Sequence, residues 1–145
     1  APDVRARLLV GLFLPPTLYV TGQRARRLAY EALRGVFEGV DVLAAPTMPV
    51  LPPRVEEETV ELGGREVPHR LVVIPYNSPW SLVGSPVVSV PCGFVDGLPV
   101  GLAVVGRRLE EATVLRVAHA YQQATDWHER RAPLATSREG RVALR

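Results

Sequence analysis

Residues 84–106, "GSPVVSVPCGFVDGLPVGLAVVG", contain two apolar runs on either side of Asp96-Gly97 and give the strongest fold signal in the sequence. Both turn residues tolerate the positive φ angles of a type I′ turn, so the sequence predicts a β-hairpin with a two-residue turn. The expected cross-strand pairs are Val95–Leu98, Phe94–Pro99, Gly93–Val100, Cys92–Gly101, Pro91–Leu102, Val90–Ala103 and Val88–Val105.

Both faces of this predicted hairpin are apolar, which is typical of a sheet covered by helices on both sides. Pro91 and Pro99 each lack the backbone N–H that a sheet ladder needs. The sequence therefore predicts a bulge or an open edge near these two prolines.

Three side chains in this stretch are candidate nucleophiles. Cys92 is expected in mid-strand among apolar neighbours, where a thiol has little access to reactants. Ser89 is expected inside the same strand, and Ser85 lacks the G-x-S-x-G elbow of serine hydrolases. The sequence thus favours a structural role for Cys92 and assigns no catalytic residue.

Three helices are predicted elsewhere from apolar spacing, with Thr17 capping the second helix and Gly39 ending it. The second and third helices are each expected to bury an apolar stripe. The predicted segments are helices over 3–13, 17–38 and 110–127, a buried strand over 40–45, an extended proline-rich path over 46–53, a charged surface excursion over 54–70 turning at Gly63-Gly64, and an apolar stretch rich in turn residues from Leu71.

Composition excludes several classes of function. The net charge is only +2, and no arginine cluster is interleaved with aromatic residues, so nucleic acid is not an expected partner. The apolar runs are too short to span a membrane, and a single cysteine forms no internal disulfide. His69, His119 and His128 lack metal-ligand spacing, so neither a metal nor another cofactor is predicted. A cytoplasmic protein is the expectation.

All 17 basic residues are arginine, and the chain has 14 prolines. The absence of lysine removes any lysine base from this chain. Scarce labile residues and proline-rich loops fit a thermostable protein, whereas GC-rich codon usage explains the arginines more simply.

The pieces taken in order resemble the C-terminal part of amidase signature family enzymes. They are "VRARLLVG", "LYVTGQRARR", "FEGVDVLAAPTMP" and the segment from "SPWSLVGSP" to "HERRAP", and G-x-P-x-x-S-V-P-C-G…G-L-P-V-G-L is the most specific part. The resemblance implies an α/β fold, a mixed sheet flanked by helices, of which this chain is the C-terminal portion only. It predicts that residues 1–133 belong to that fold and that 134–145 form a flexible tail.

Family members cleave amides with a serine nucleophile, a second serine and a lysine base. In the family those residues precede the part matched here, so the chain alone is predicted to be inactive. The implied partners are a small-molecule amide substrate in the intact enzyme and either the remainder of the amidase fold or a second copy. A stand-alone, non-catalytic binding or structural remnant is the competing hypothesis.

A third hypothesis is a piece of a tRNA-dependent amidotransferase A subunit. In those subunits an arginine at the place of Arg7 holds the carboxylate of the glutamine donor, so Arg7 is the candidate substrate-binding residue; a solvent-facing helix arginine is the alternative. Ile74 stands where they carry an aspartate, Ser81 where asparagine is usual and Ala103 where glutamine is common. These departures favour a general amidase with a less polar substrate.

Overall fold

The structure is a computed structural model that describes residues 2–131, except for the side chains of residues 2, 3 and 7. It divides into two compact units, one ending at Gly39 and the other beginning at Val40. The predicted tail over 134–145 and the two residues before it lie outside the described residues, so the boundary at residue 133 stays a prediction.

The first unit contains two helices, α1 (Pro2–Leu12) and α2 (Pro16–Val36). Pro16 occupies the first turn of α2, where its missing N–H costs nothing and its fixed φ suits the helix. Thr17 therefore lies inside the helix and does not cap it, contrary to the sequence prediction. The helix ends at Val36 with Phe37 as its C-cap, so the prediction that Gly39 ends it was also wrong.

Of the apolar stripe predicted for α2, which ended at Phe37, only Phe37 itself, just after the helix, is buried. No residue of α2 is buried within the described chain, and Leu28 and Val36 are 72% and 52% exposed. Large apolar side chains are exposed on α1 and the following loop as well, among them Leu8, Leu12 and Phe13.

The second unit is built on a three-stranded sheet with the spatial order β1-β5-β4. Its strands are β1 (Val42–Pro46), β4 (Val87–Val95) and β5 (Leu98–Gly106). Both strand pairs are antiparallel. The hairpin of residues 84–106 supplies two of the three strands, with β5 at the centre of the sheet and β4 at one edge. The chain is α/β as predicted.

The hairpin turn has the predicted form, because φ is +51° at Asp96 and +77° at Gly97. The predicted pairs hold from Val95–Leu98 to Gly93–Val100. A bulge at Cys92 then shifts the register by one residue. The four predicted pairs beyond it were wrong, and the observed ones are Pro91–Gly101, Val90–Leu102, Ser89–Ala103, Val88–Val104 and Val87–Val105. The bulge lies beside Pro91, one of the two prolines that predicted it.

Helix α4 (Glu111–Ala124) packs against β4 and β5. Val114 and Ala118 of its predicted stripe are buried, whereas Leu115, expected to broaden that stripe, is 60% exposed. A Cβ on Gly106 would collide with the Val114 side chain, so the glycine lets helix and sheet approach closely. The core of this unit contains Val72, Val83, Val90, Ala103, Val104, Val105, Val114 and Ala118.

Two strands and a helix lie between β1 and β4. Strands β2 (Thr59–Leu62) and β3 (Arg65–Pro68) form a separate hairpin that turns at Gly63-Gly64, as predicted. Helix α3 (His69–Val83) follows, although the sequence predicted a turn-rich stretch from Leu71. Pro75 and Pro79 lie inside this helix and each removes one backbone hydrogen bond.

Candidate functional site

Two hydroxyl groups meet across the central strand at one end of the sheet. Thr47 directly follows β1, and its N–H donates to the Gly101 carbonyl on β5 at 2.8 Å. Ser89 lies on β4, on the other side of β5. The Thr47 Oγ1 and Ser89 Oγ atoms are 2.6 Å apart and share a hydrogen bond. The strand pairing thus brings together residues that are 42 positions apart in the chain.

Gly101 leaves the space in which these hydroxyls meet. A Cβ built on Gly101 would lie 2.8 Å from both hydroxyl oxygens and 3.0 Å from the Thr47 Cβ. Any larger residue here forces the two side chains to rotate away from each other. The hydroxyl pair therefore depends on glycine at the centre of the strand.

The hydroxyl pair forms part of the floor of an open cleft of about 670 Å³, which we call the hairpin cleft. One wall is the proline-rich segment after β1, and the other is the turn end of the β4–β5 hairpin. No charged side chain lines it. Its lining residues are Thr47, Met48, Pro49, Val50, Leu51, Pro52, Pro53, Ser89, Pro91, Val95, Pro99, Val100 and Gly101.

Burial along β5 shows that this sheet face is open at one end only. Ala103 and Val105 are 4% and 0% exposed, whereas Gly101 is half-buried at the cleft. Small residues on neighbouring strands share the face, since Ala45 and Ser89 both pair with Ala103. At the Gly101 end, this face of the sheet is therefore open to a ligand, which can lie against small side chains.

Helix α3 contacts the proline-rich wall. The Asn77 Nδ2 group lies 3.6 Å from the Met48 sulfur and donates a weak hydrogen bond to it. The exposed side of α3 carries a shallower groove, lined by Ile74, Pro75, Ser78, Pro79, Ser81 and Leu82. Ile74 and Ser81 thus lie in this groove and do not line the hairpin cleft.

The candidate nucleophiles occupy different places from those predicted. Cys92 lies at the bulge and is half-buried, so its predicted position opposite Gly101 was wrong. Ser89 lies within β4 as predicted, but its side chain is exposed at the cleft, so the expectation that it is trapped in the strand was wrong. Ser85 is half-buried in the loop before β4, where its N–H donates to the Trp80 carbonyl. No hydrogen bond given by the structure joins the Thr47–Ser89 pair to a basic group within residues 2–131.

Arg7 lies in α1, and its side chain is outside the described residues. Its role as the substrate-binding residue stays a prediction.

The hydroxyl pair is the feature that sequence reasoning missed. Its signal was present in the hairpin itself, because the bulge predicted near Pro91 moves Ser89 and Gly101 onto the same face. The pairing of β1 with β5, which brings Thr47 to the site, was not predicted.

The histidines hold no common site. The His69 ring nitrogen Nδ1 lies 3.1 Å from the Glu58 carbonyl, His119 is exposed, and His128 lies in a short 3₁₀ helix (Trp127–Glu129). Within residues 2–131 no group of three or more His, Cys, Asp or Glu side chains is placed to hold a metal ion. None of the helices in this described part is long and apolar enough to cross a membrane.

A cation–π cluster ties the 3₁₀ helix to strand β4. The Phe94 and Trp127 ring centroids are 6.2 Å apart, and the Arg130 guanidinium carbon lies 4.7 Å and 5.3 Å from them. This cluster stabilises the end of the described chain against the hairpin.

Comparison with known proteins identifies the family. The amidase family model matches residues 4–115, which is most of the chain and includes the whole hairpin cleft. The chain belongs to the amidase family. The predicted resemblance to amidase signature enzymes is thereby confirmed.

The family's solved structures share this fold. A crystal structure of an amidase superposes with a TM-score of 0.79 at 35% identity, over 86% of this chain and 29% of that one. A bacterial aryl acylamidase of the amidase signature family superposes with a TM-score of 0.72 at 26% identity, over 89% of this chain and 27% of that one. The predicted fold is confirmed.

Among curated amidase-family relatives, the A subunit of glutamyl-tRNA(Gln) amidotransferase from Synechococcus sp. (strain JA-2-3B'a(2-13)) is 42% identical over 143 residues. That match covers 92% of this chain and 26% of the relative. The chain spans about a quarter of the length of the relatives it matches.

Proposed function

We propose that this chain is the C-terminal part of an enzyme that hydrolyses carboxamide C–N bonds. The match of residues 4–115 to the amidase family carries the proposal. The hairpin cleft supports it, because a concave, mostly apolar site with a few polar groups is the usual form of a small-molecule site.

The catalytic groups are proposed to lie outside this chain. A serine hydroxyl attacks a carbonyl only when an adjacent base takes its proton, and the family resemblance implies a lysine in that role. This sequence has no lysine. The Ser-Ser-Lys machinery therefore has to come from other residues of the intact enzyme, while this chain contributes the floor and walls of a substrate site.

The exposed apolar surface of the first unit supports a second part of this proposal. Leu8, Leu12, Phe13 and Leu28 are each more than 70% exposed, and burying one such side chain stabilises a fold by about 1.5–3 kcal/mol. We infer that the remainder of an amidase fold covers this surface in the intact enzyme. In the isolated chain the same surface favours self-association.

The experiment compares two proteins in one assay of ammonia release. One is the 145-residue chain, and the other is the product of the complete coding sequence; the substrates are benzamide, hexanamide and glutamine. Turnover is expected from the second protein alone. Amide cleavage by the isolated chain would contradict the proposal that the catalytic groups lie outside it. If neither protein cleaves any of the amides, the proposed function is wrong.

Size-exclusion chromatography tests whether the exposed apolar surface of the first unit is covered in the intact enzyme. Self-association that disappears in the complete protein is the expected result. A stable monomer of the isolated chain counts against the inference.

Arg7 remains the proposed substrate-binding residue of the glutamine-using alternative, in which its guanidinium holds the carboxylate of the glutamine donor. Substituting Arg7→Ala in the complete protein is expected to raise KM for glutamine and to leave KM for benzamide unchanged, because only glutamine offers a partner for the guanidinium. Equal effects on both substrates would indicate a structural role. A cytoplasmic location, heat stability and independence of cofactors also stay predictions.

A further inference from the structure

The Thr47–Ser89 hydroxyl pair has hydrogen-bonding capacity left over. Two hydroxyl groups carry two protons, and the bond between Oγ1 and Oγ uses one of them. The structure gives neither hydroxyl a further partner among residues 2–131. One O–H is therefore available to donate a hydrogen bond to a group that enters the cleft.

The cleft around this donor discriminates by charge. All thirteen lining residues are uncharged, and prolines, Val, Leu and Met supply most of the surface. A carboxylate or an ammonium group that enters such a site loses hydration without gaining a counter-charge. An uncharged acceptor such as a carbonyl loses less, and the free hydroxyl can satisfy it.

The walls are preformed as well as apolar. Pro49, Pro52 and Pro53 fix φ on one wall, and Pro91 and Pro99 fix it on the other. A ligand that enters therefore orders little backbone, which lowers the entropic cost of binding. This rigidity lets a single hydrogen bond distinguish between ligands of the same shape.

We propose that the hairpin cleft selects uncharged amide substrates, and that the Thr47–Ser89 pair donates one hydrogen bond to an acceptor on the apolar body of the substrate. This inference rests on the proposed function, because it assigns a substrate class to the same site. The two hydroxyls determine specificity and take no part in breaking the C–N bond.

The test uses three benzamides of nearly equal size that differ at the para position. 4-Acetylbenzamide carries a carbonyl acceptor, 4-isopropylbenzamide is its apolar isostere, and 4-carboxybenzamide carries a carboxylate. Binding is measured by titrating each probe into the ¹⁵N-labelled 145-residue chain, at a concentration where size-exclusion chromatography gives the monomer, while the backbone signals of Thr47, Ser89 and Gly101 are followed by NMR.

The acetyl compound is expected to bind about fivefold more tightly than the isopropyl compound, which is the value of one hydrogen bond. The carboxylate is expected to bind more than tenfold more weakly than either. Saturable shifts at the three named residues are expected only for the neutral probes.

The decisive variant removes both hydroxyls, since a single substitution leaves the other hydroxyl able to donate. Thr47→Val combined with Ser89→Ala keeps the apolar shape and leaves no unsatisfied partner. It is expected to bind both neutral probes equally. Thr47→Ser retains a hydroxyl and the fivefold preference, and Thr59→Val, at an exposed position on β2, is the matched control for threonine loss.

The inference is overturned if no probe shifts these signals, if the carboxylate binds as tightly as the neutral probes, or if the double variant keeps the acetyl preference. The complete protein separates this failure from failure of the proposed function. If the complete protein cleaves all three benzamides at equal kcat/KM, the proposed amide hydrolysis stands. The proposal that the cleft determines specificity is then wrong. With the inference correct, the double variant raises KM for the acetyl compound about fivefold at unchanged kcat.

Discussion

Gly101 and Gly106 lie five residues apart on β5, and a Cβ at either would enter occupied space. At Gly106 that space belongs to Val114 of α4, in a closed apolar contact between helix and sheet. At Gly101 it belongs to two hydroxyl groups that border an open cleft. The same residue type thus serves packing at one end of the strand and a polar site at the other, so the two glycines should respond differently to the same substitution.

Gly106→Ala is expected to produce the largest effect. The added Cβ overlaps a buried valine that has no free space to move into, so the free energy of unfolding should fall by about 1–3 kcal/mol. Urea denaturation of the 145-residue chain, followed by circular dichroism, measures this change.

The second substitution Val114→Ala makes room for the new Cβ. It should therefore cost less in the Gly106→Ala background than in the wild type, by a coupling energy of about 1 kcal/mol. Strict additivity of the two substitutions would show that the contact between Gly106 and Val114 is not close.

Gly97→Ala addresses the turn that joins the two strands. Gly97 has φ of +77°, and a residue with a Cβ pays about 1 kcal/mol to adopt the left-handed region. The free energy of unfolding should fall by that amount in the same urea experiment. Gly39→Ala is the control, because Gly39 has no neighbour within 4 Å of an added Cβ and no positive φ. An equal fall in the free energy of unfolding in both variants would show that the positive φ of Gly97 does not cause the destabilisation.

Gly101→Ala is expected to have the smallest effect on stability. The neighbouring hydroxyls are side-chain ends at an open cleft and can rotate away, so that only the Thr47 Cβ at 3.0 Å requires a small backbone shift. The free energy of unfolding should therefore fall by less than about 1 kcal/mol. The hydrogen bond between the Thr47 and Ser89 hydroxyls breaks, however. The variant should therefore no longer bind 4-acetylbenzamide fivefold more tightly than 4-isopropylbenzamide. A stability loss as large as that of Gly106→Ala would remove the distinction between the two ends of β5.

The sequence predicted those elements whose signals are local. Asp96-Gly97 gives a turn type because its backbone angles depend on two residues alone, and the spacing of Val114 and Ala118 gives a helix face. The cross-strand register was predicted correctly only as far as Cys92. Pro91 indicated that a bulge was needed, but its position depends on which residues pack below the strand.

Helix α3 shows the limit of local rules. Pro75 and Pro79 favour turns by their intrinsic preference, yet the segment from His69 to Val83 is helical. Val72 and Val83, near its two ends, are both buried in the core. The burial of these two side chains outweighs the two lost backbone hydrogen bonds. Helix propensities do not include tertiary packing and therefore do not predict this helix.

Helix α2 shows the opposite case. Its apolar spacing is as regular as that of α4, yet none of its residues is buried in the described chain. The periodic pattern identifies a face that is able to pack and does not identify the surface against which it packs.

The sequence alone thus determined the α/β class, the hairpin turn and the resemblance to the amidase family, because each depends on residues close together in the chain or on a continuous motif. The contact between Thr47 and Ser89 over Gly101 exists only in the folded chain. That contact requires β1 and β4 to pair with opposite edges of β5, and the pairing depends on contacts between residues far apart in the chain.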